Sequence, residues 1–329
     1  MVNLKVIWEH NIDEEVLDVK IAKRTGLTIL GTKDGKIQCF DLIGKSQWIS
    51  DIDGQAMGVA VTGDGKYTFV ASSNSKILCL DRSGEHLWES DTRGPASTIH
   101  YSDLGKSVLA GSYDGTLYNL KDDKTVLWKA ILGGEIQKCA ISDKGDLSFA
   151  SSSNNIFFCI DYEGKVLWNR IFKGKIVDLA ISPDGDNISI AYDNIIHVLD
   201  KDGNTRWEQD LENQINAMDI CEETGDVVAS TRDNMLISLN DQGEVIWKQS
   251  IKDTICKLAL TRDGKGFALV FASGKILFYE SLEEDTEVFY EILCRGDSKC
   301  GTFVSVVYTT RCPRCGSDKN VVRIIKETI

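Results

Sequence analysis

The chain has 329 residues, 42% apolar and 26% charged, with a formal net charge of −13. That is a globular composition, without the run of about 18 apolar residues that a spanning helix needs and without the basic-apolar-small pattern of a signal peptide at the N-terminus. So acidic a balance argues against a main body that wraps nucleic acid.

The first predicted strand is "LKVIW" (4–8), whose wording returns as "KVLW" ending at Trp168 and "EVIW" ending at Trp247. All seven tryptophans share that phase: Trp8, Trp48, Trp88, Trp128, Trp168, Trp207 and Trp247, spaced 40, 40, 40, 40, 39 and 40. A period near 40 built from short β-patterns predicts propeller blades. In the repeat that follows Trp168, "KIVDLAIS" (175–182) predicts the innermost strand, and "PDG" (183–185) a turn. "NISIAY" (187–192) predicts a second strand, Asp193-Asn194 a hairpin turn, and "IIHVLD" (195–200) a third strand. "KDG" (201–203) turns again, and "NTRW" (204–207) is the outer strand.

The same punctuation runs along the chain. Asp34-Gly35, Asp114-Gly115, Asn154-Asn155, Asp233-Asn234 and Ser273-Gly274 predict the middle turn. Asp41…Gly44, Asp81…Gly84, Asp161…Gly164 and Asp200…Gly203 predict the last one. "KDDK" (121–124) lacks the glycine, so a turn of different geometry is expected there. A tryptophan at the end of each outer strand can fill the wedge between blades. Burying it is worth roughly 1.5–3 kcal/mol, with its N–H expected to find an acceptor.

Ten cysteines fall into two groups. Cys39, Cys79, Cys139, Cys159, Cys221 and Cys256 sit in apolar segments and read as packing, because Cys39, Cys79 and Cys159 share a repeat position that elsewhere holds Asn119, Val198, Ser238 and Tyr279. Free thiols in strands fit a reducing, cytoplasmic setting.

"DYEGKVLW" (161–168) and "DRSGEHLW" (81–88) resemble the tryptophan-docking repeat of quinoprotein-like (pyrroloquinoline-quinone-like) propellers, and "LAISPDGDNISIAY" (179–192) resembles the middle of WD-repeat blades. The resemblance covers residues 1 to about 282 and implies an all-β propeller. Quinoprotein dehydrogenases use adjacent cysteines and a calcium-binding carboxylate cluster, and their usual form has eight blades. This chain has no Cys-Cys pair.

No other catalytic wording appears. His10, His86, His100 and His197 form no H-x-H or H-E-x-x-H spacing and read as structural or exposed, and there is no G-x-S-x-G elbow or phosphate loop. Catalysis by the propeller is therefore not expected. The segments after each tryptophan should line one face of the ring. "EHNIDEE" (9–15), "ISDID" (49–53) and "ESD" (89–91) are acidic, whereas "NRIFKGK" (169–175) and "KQSIK" (248–252) are basic. Arg170, Lys173 and Lys175 are thus candidate partner-binding residues on a charge-polarised face.

The last repeat starts at Trp247 and supplies three strands, "ICKLAL" (255–260), "GFALVF" (266–271) and "KILFYE" (275–280). The next tryptophan is due at 287, where Glu287 stands instead. "LKVIW" (4–8) is therefore expected to pair beside "KILFYE" and close a ring of seven blades, removing an exposed edge.

Residues 283–329 read as a second domain, with acidic "SLEEDTE" (281–287) as the linker. From Cys294 onward the net charge is +4, which leaves −17 on the preceding 293 residues. Cys294-x5-Cys300-Gly and Cys312-Pro-Arg-Cys315-Gly suit one tetrahedral zinc ion, the glycines letting backbone N–H groups turn toward sulfur. The tail resembles a zinc ribbon, although its first knuckle is longer than the usual C-x2-4-C. A rubredoxin-like iron site, disulfides and free thiols are the other readings of these four cysteines. Arg295, Lys299, Arg311 and Arg314 around the cysteines are candidate contacts to a protein or to phosphates.

The expectation is a non-enzymatic cytoplasmic scaffold, with a protein partner on the propeller face and a second contact through the zinc ribbon. The alternative is a nucleic-acid- or ribonucleoprotein-associated factor that binds through the ribbon. A third reading is an enzyme that uses the propeller channel.

Overall fold

The computed structural model describes residues 3–282, 286–294, 301–305 and 320–328, with side chains described for 4–281. It forms two compact units, one of Val6–Glu280 and the other of Met1–Lys5 with Ser281–Ile329. No helix among the described residues is long and apolar enough to cross a membrane.

The larger unit is a seven-bladed propeller. Each blade is a four-stranded antiparallel sheet whose strands run in chain order from the channel outward. The inner strands are Val16–Ile21, Ala56–Val61, Ala96–Ser102, Ile136–Ile141, Ile176–Ile181, Ile215–Ile220 and Ile255–Leu260. In blade 7 the outer place is taken by Asn3–Asn11, which pairs beside Lys275–Leu282 as expected. Trp8 stacks on Phe278, the Ile12 N–H donates to Gly274 O at 2.7 Å, and Lys275 Nζ lies 3.4 Å from Glu9 Oε2.

A lone blade has two faces to cover and almost no core of its own. The second and third strands are accordingly buried nearly throughout, and the apolar clusters form between neighbouring blades. Phe149 and Phe157 of blade 4 pack with Ile188, Ile190 and Leu199 of blade 5. Ile196 and Val198 of blade 5 pack with Ile215, Met218 and Ile237 of blade 6.

The tryptophans lie in those seams. All but Trp247, whose neighbour is blade 7, dock on the last turn of the next blade, so that a Cβ added at Gly84 would stand 2.6 Å from the Trp48 ring, and one at Gly164 2.9 Å from Trp128. Glycine serves there both for its positive φ of about 83° at Gly84 and for the close approach of the ring. The indole N–H groups of Trp88, Trp168 and Trp207 donate to the carbonyls of Asp122, Lys201 and Asp241 in the same turn, each at 2.8 Å. Those of Trp8 and Trp128 are buried without an acceptor, so the expectation of a partner holds at only some seams.

Three expectations need correction. The turn at 121–124 keeps the common geometry: Lys124 takes φ 68° in the glycine's place, and its N–H donates to Lys121 O as Gly44 N–H does to Asp41 O. Such a left-handed lysine costs about 1 kcal/mol. The outer strands do not end at tryptophan but run three residues further, as in Val166–Ile171. The acidic stretch 281–287 is not all linker, because strands reach Leu282 and restart at Thr286.

The single spacing of 39 also has a location. Blade 5 turns from Tyr192 to Ile195 through two residues, whereas blade 4 uses three between Ser152 and Ile156. Cys39, Cys79 and Cys159, read as packing, are buried directly opposite Trp48, Trp88 and Trp168 across the strand pair.

The second unit contains a three-stranded antiparallel sheet, with Thr286–Cys294 between Gly301–Ser305 and Asn320–Thr328.

Deleting residues 1–8 removes the closing strand and the Trp8 seam. The melting temperature followed by circular dichroism should fall by more than about 5 °C, since losing a buried ring and a strand edge costs several kcal/mol. A change within a degree or two would refute the closure.

Candidate functional site

In the channel the seven repeats differ in chemistry. Each inner strand carries a register shift between its first and third residues, as between Val16 and Asp18 or Ile176 and Asp178. Such a bulge re-aims the side chains that follow it. The third positions are Asp18, Gly58, Thr98, Lys138, Asp178, Ala217 and Lys257, and the fifth include Lys20, His100 and Asp219.

The channel carboxylates have a structural task. An inner strand is paired on one edge only, so its N–H groups toward the channel need acceptors. Asp18 Oδ1 accepts from Val19 N–H and Oδ2 from Val59 N–H of the next blade, both at 2.9 Å. Asp178 bridges Leu179 and Met218 N–H in the same way, and Asp219 bridges Ile220 and Leu260 N–H. His100 Nδ1 accepts from Ile141 N–H at 3.4 Å. Each link spans 40 or 41 residues, one blade to the next.

Those half-buried carboxylates then draw in cations. Lys138 Nζ lies 2.9 Å from Asp178 Oδ1. Burial alone would raise the Asp178 carboxyl, but Lys138, the Met218 N–H and Lys20 together outweigh it and hold the group below the usual carboxylate range. Burial likewise works against the Lys20 ammonium, and Asp18, Asp219 and Asp178 more than restore it. The Cys139 thiol is pushed up to about 12 by burial, so it stays protonated. His100 is driven down to about 3 by burial, then by Lys20 and Lys23, and so is neutral.

Two cavities follow the axis. The larger, about 220 Å³, opens among Asp18, Met57, Gln137, Lys138, Asp178 and Lys257. The smaller, about 70 Å³, is lined by Lys23, Asp143, Pro183, Asp219 and Glu222. Lys20, His100 and Leu179 line both and form the waist. Among the described residues, no group of three His, Cys, Asp or Glu could hold a metal ion.

These channel groups went unread as a set in the sequence. The signal was there: ionisable residues at the third and fifth positions of strands otherwise apolar.

The segments named in advance divide differently. The loops proper are 12–15, 52–55, 92–95, 132–135, 172–175, 211–214 and 251–254. They share a face with the middle turns, as Ile52 N–H bonds Gly35 O and Lys33 N–H bonds Glu15 O. Exposed Asp13, Glu14 and Glu15 lie in the loop entering blade 1, and exposed Lys173 and Lys175 in the loop entering blade 5. Those loops are three positions apart round one side of the ring and four round the other, as far apart as seven allow. Arg170 belongs instead to the outer strand, where Nη1 is 3.2 Å from Thr205 Oγ1 of the next blade and the guanidinium lies 5.7 Å from the Phe172 ring centre.

Of the other histidines, His10 Nε2 is 2.5 Å from Gly44 O across a seam, His86 is exposed beside Glu89, and buried His197 pairs within its own blade with Thr205 Oγ1 at 2.8 Å and with Glu208 at 3.2 Å. Of the candidate metal cysteines, Cys294 ends a strand of the second unit, opposite both Gly301 and Asn320. Cys300, Cys312 and Cys315 lie outside the described residues, as do Arg295, Lys299, Arg311 and Arg314.

The neutral His100 has a consequence for stability. Its unfolded imidazole takes a proton below about pH 6.5, while the folded one resists down to about 3, so stability falls as pH drops through that window. In urea unfolding, the wild type should lose on the order of 2 kcal/mol more than His100→Gln between pH 7 and pH 5, a difference that separates this imidazole from groups such as Asp143 that titrate in the same window. His100→Gln, which can still accept from Ile141 N–H, should lack that increment of the drop. An equal pH dependence in both proteins would refute a buried neutral imidazole.

Three overlapping segments, 33–142, 83–234 and 192–284, match the family model described as outer membrane protein assembly factor BamB. No curated protein matches the chain. Among solved structures, the β-propeller domain of Cps50 (Swd1) from Myceliophteria thermophila superposes with a TM-score of 0.74 at 14% identity, covering 85% of this chain and 100% of that one. At that identity the likeness is one of fold. Most of the chain, residues 33–284, thus carries the repeats that the family model describes, and the protein belongs to the BamB-type propeller family.

Proposed function

We propose that the protein is a non-enzymatic cytoplasmic scaffold that docks a protein partner on the loop face of its propeller and makes a second contact through a C-terminal zinc ribbon. The observation that carries this reading is the polarity of the loop face. Asp13, Glu14 and Glu15 stand exposed at one side, with Lys173 and Lys175 exposed across the ring. A dipolar face orients an incoming partner and raises its on-rate more than its affinity. Propellers of the matched kind serve as interaction platforms, and the family's description is of an assembly factor. The location in that description is BamB's. Buried free thiols at Cys39, Cys79, Cys139, Cys159 and Cys221 support a reducing compartment for this chain.

In the second unit, Cys294, Cys300, Cys312 and Cys315 would hold one structural Zn²⁺. Cys294 is paired in register with Gly301, the residue after Cys300, and with Asn320, five residues after Cys315. That register supports a shared end of the sheet for the two knuckles. So small a unit buries little core, and metal ligation would supply much of its folding free energy. The purified protein should contain about one zinc per chain. Less than half an equivalent, with no iron colour, would count against the ribbon.

The basic excess of the last 36 residues favours nucleic acid as a second reading. Affinity purification of the full chain beside a version ending at Leu282 and a Lys173→Glu/Lys175→Glu variant separates the readings. The scaffold predicts protein partners that the truncated chain retains and the charge-reversed one binds several-fold more weakly at low salt. RNA or DNA recovered by the full chain alone would favour the ribbon reading. Partner recovery that neither change alters would overturn the docking face.

A further inference from the structure

The larger channel cavity has one positive charge more than its own carboxylates cover. Its ionised groups are Asp18 and Lys20 from blade 1, Lys138 from blade 4, Asp178 from blade 5 and Lys257 from blade 7. His100 and the Cys139 thiol, which also face it, are uncharged. Both oxygens of Asp18 and of Asp178 already accept backbone N–H groups. Lys138 is paired with Asp178. Lys20, at the waist, has Asp18 beside it and Asp219 of the smaller cavity below.

Lys257 is left over. Among the described residues its ammonium has no ion pair and no hydrogen bond. Burial and then the facing Lys138 pull it below the usual lysine range, against the weaker help of Asp18 and Asp178. A partly buried cation with a second cation opposite and open volume before it is an environment that an anion would stabilise.

The cavity fixes the size and character of that anion. About 220 Å³ is more than a bare inorganic anion fills and less than a drug-sized ligand needs. Its walls include apolar Leu17, Met57 and Leu258 beside the polar Thr98 and Gln137. An excess of one positive charge asks for one negative charge.

We propose that the larger channel cavity is a binding site for a small organic monocarboxylate, its carboxylate held by Lys257 and Lys138 and its carbon body against Leu17, Met57 and Leu258. The site is independent of the docking face, since Lys173 and Lys175 do not line it.

Titration calorimetry of the full chain with hexanoate, hexanamide and inorganic phosphate tests this. Hexanoate should bind saturably at one site per chain, and hexanamide at least tenfold more weakly. Lys257→Met, which keeps the length of the side chain and removes its charge, should weaken hexanoate at least tenfold. The same variant should melt at or above the wild-type temperature, because the charge it removes has no protein partner. No saturable hexanoate binding, equal binding by Lys257→Met, or phosphate bound as tightly as hexanoate would each overturn the proposal. So would a Lys257→Met protein that melts well below the wild type, which would reveal a structural partner for the lysine.

Discussion

A four-stranded blade buries neither of its faces by itself, so the whole ring rests on the contact that each blade makes with the next. The tryptophan is that contact's largest piece. Trp48, for instance, sits across from Cys39 on its own third strand and lies on Gly84 of the neighbour's last turn. Two local demands thereby become one repeat signature. The ring must approach backbone closely, and the turn must take positive φ, and glycine meets both. Trp88 shows how far the requirement bends. With Lys124 in the glycine's place, the turn keeps its shape, and the indole keeps its bond to Asp122 O.

The same constraint explains the closing strand. A ring of seams has no tolerance for an open one, because an unpaired strand edge and an undocked face would be exposed together. Strand Asn3–Asn11 fills the outer place of blade 7, and Trp8 then docks on Gly44 of blade 1 just as Trp48 docks on Gly84 of blade 2. The final seam thus joins segments far apart in sequence, such as Glu9 and Lys275. Contacts of that span carry the largest loop-closure cost, so the ring should complete late in folding.

What could be read from the sequence follows from which features repeat. Tryptophans, turn glycines and the cysteine position recur seven times over or nearly so, and their phase revealed the blade count and the closure. Strand ends were misread because pairing, not composition, carries Val166–Ile171 past its tryptophan. The bulges before Asp18 and Asp178 leave no mark in composition, so the side chains they aim into the channel were not gathered into one site. Arg170 looked like a loop cation and is a seam residue, because strand alternation turns it toward Thr205. The four C-terminal cysteines were legible from their spacing alone, and Cys294 is the one whose strand register is described.

The channel also shows why repetition and function part company. The inner edge of every blade presents N–H groups, yet among the described residues only Asp18, Asp178, Asp219 and His100 answer them with a side chain from the preceding blade. Among the described residues, the inner strands of blades 1, 3 and 5 receive no such bond from the blade before them. Asp18, Asp178 and Asp219 of the inner strands match Lys20, Lys138 and Lys257 in number, but the six are distributed unevenly along the axis. Asp219 faces the smaller cavity, and Lys257 remains in the larger one. A ring built from near-identical parts acquires a direction and a chemically distinct interior only through such departures, and the departure that the protein's own groups leave unbalanced is Lys257.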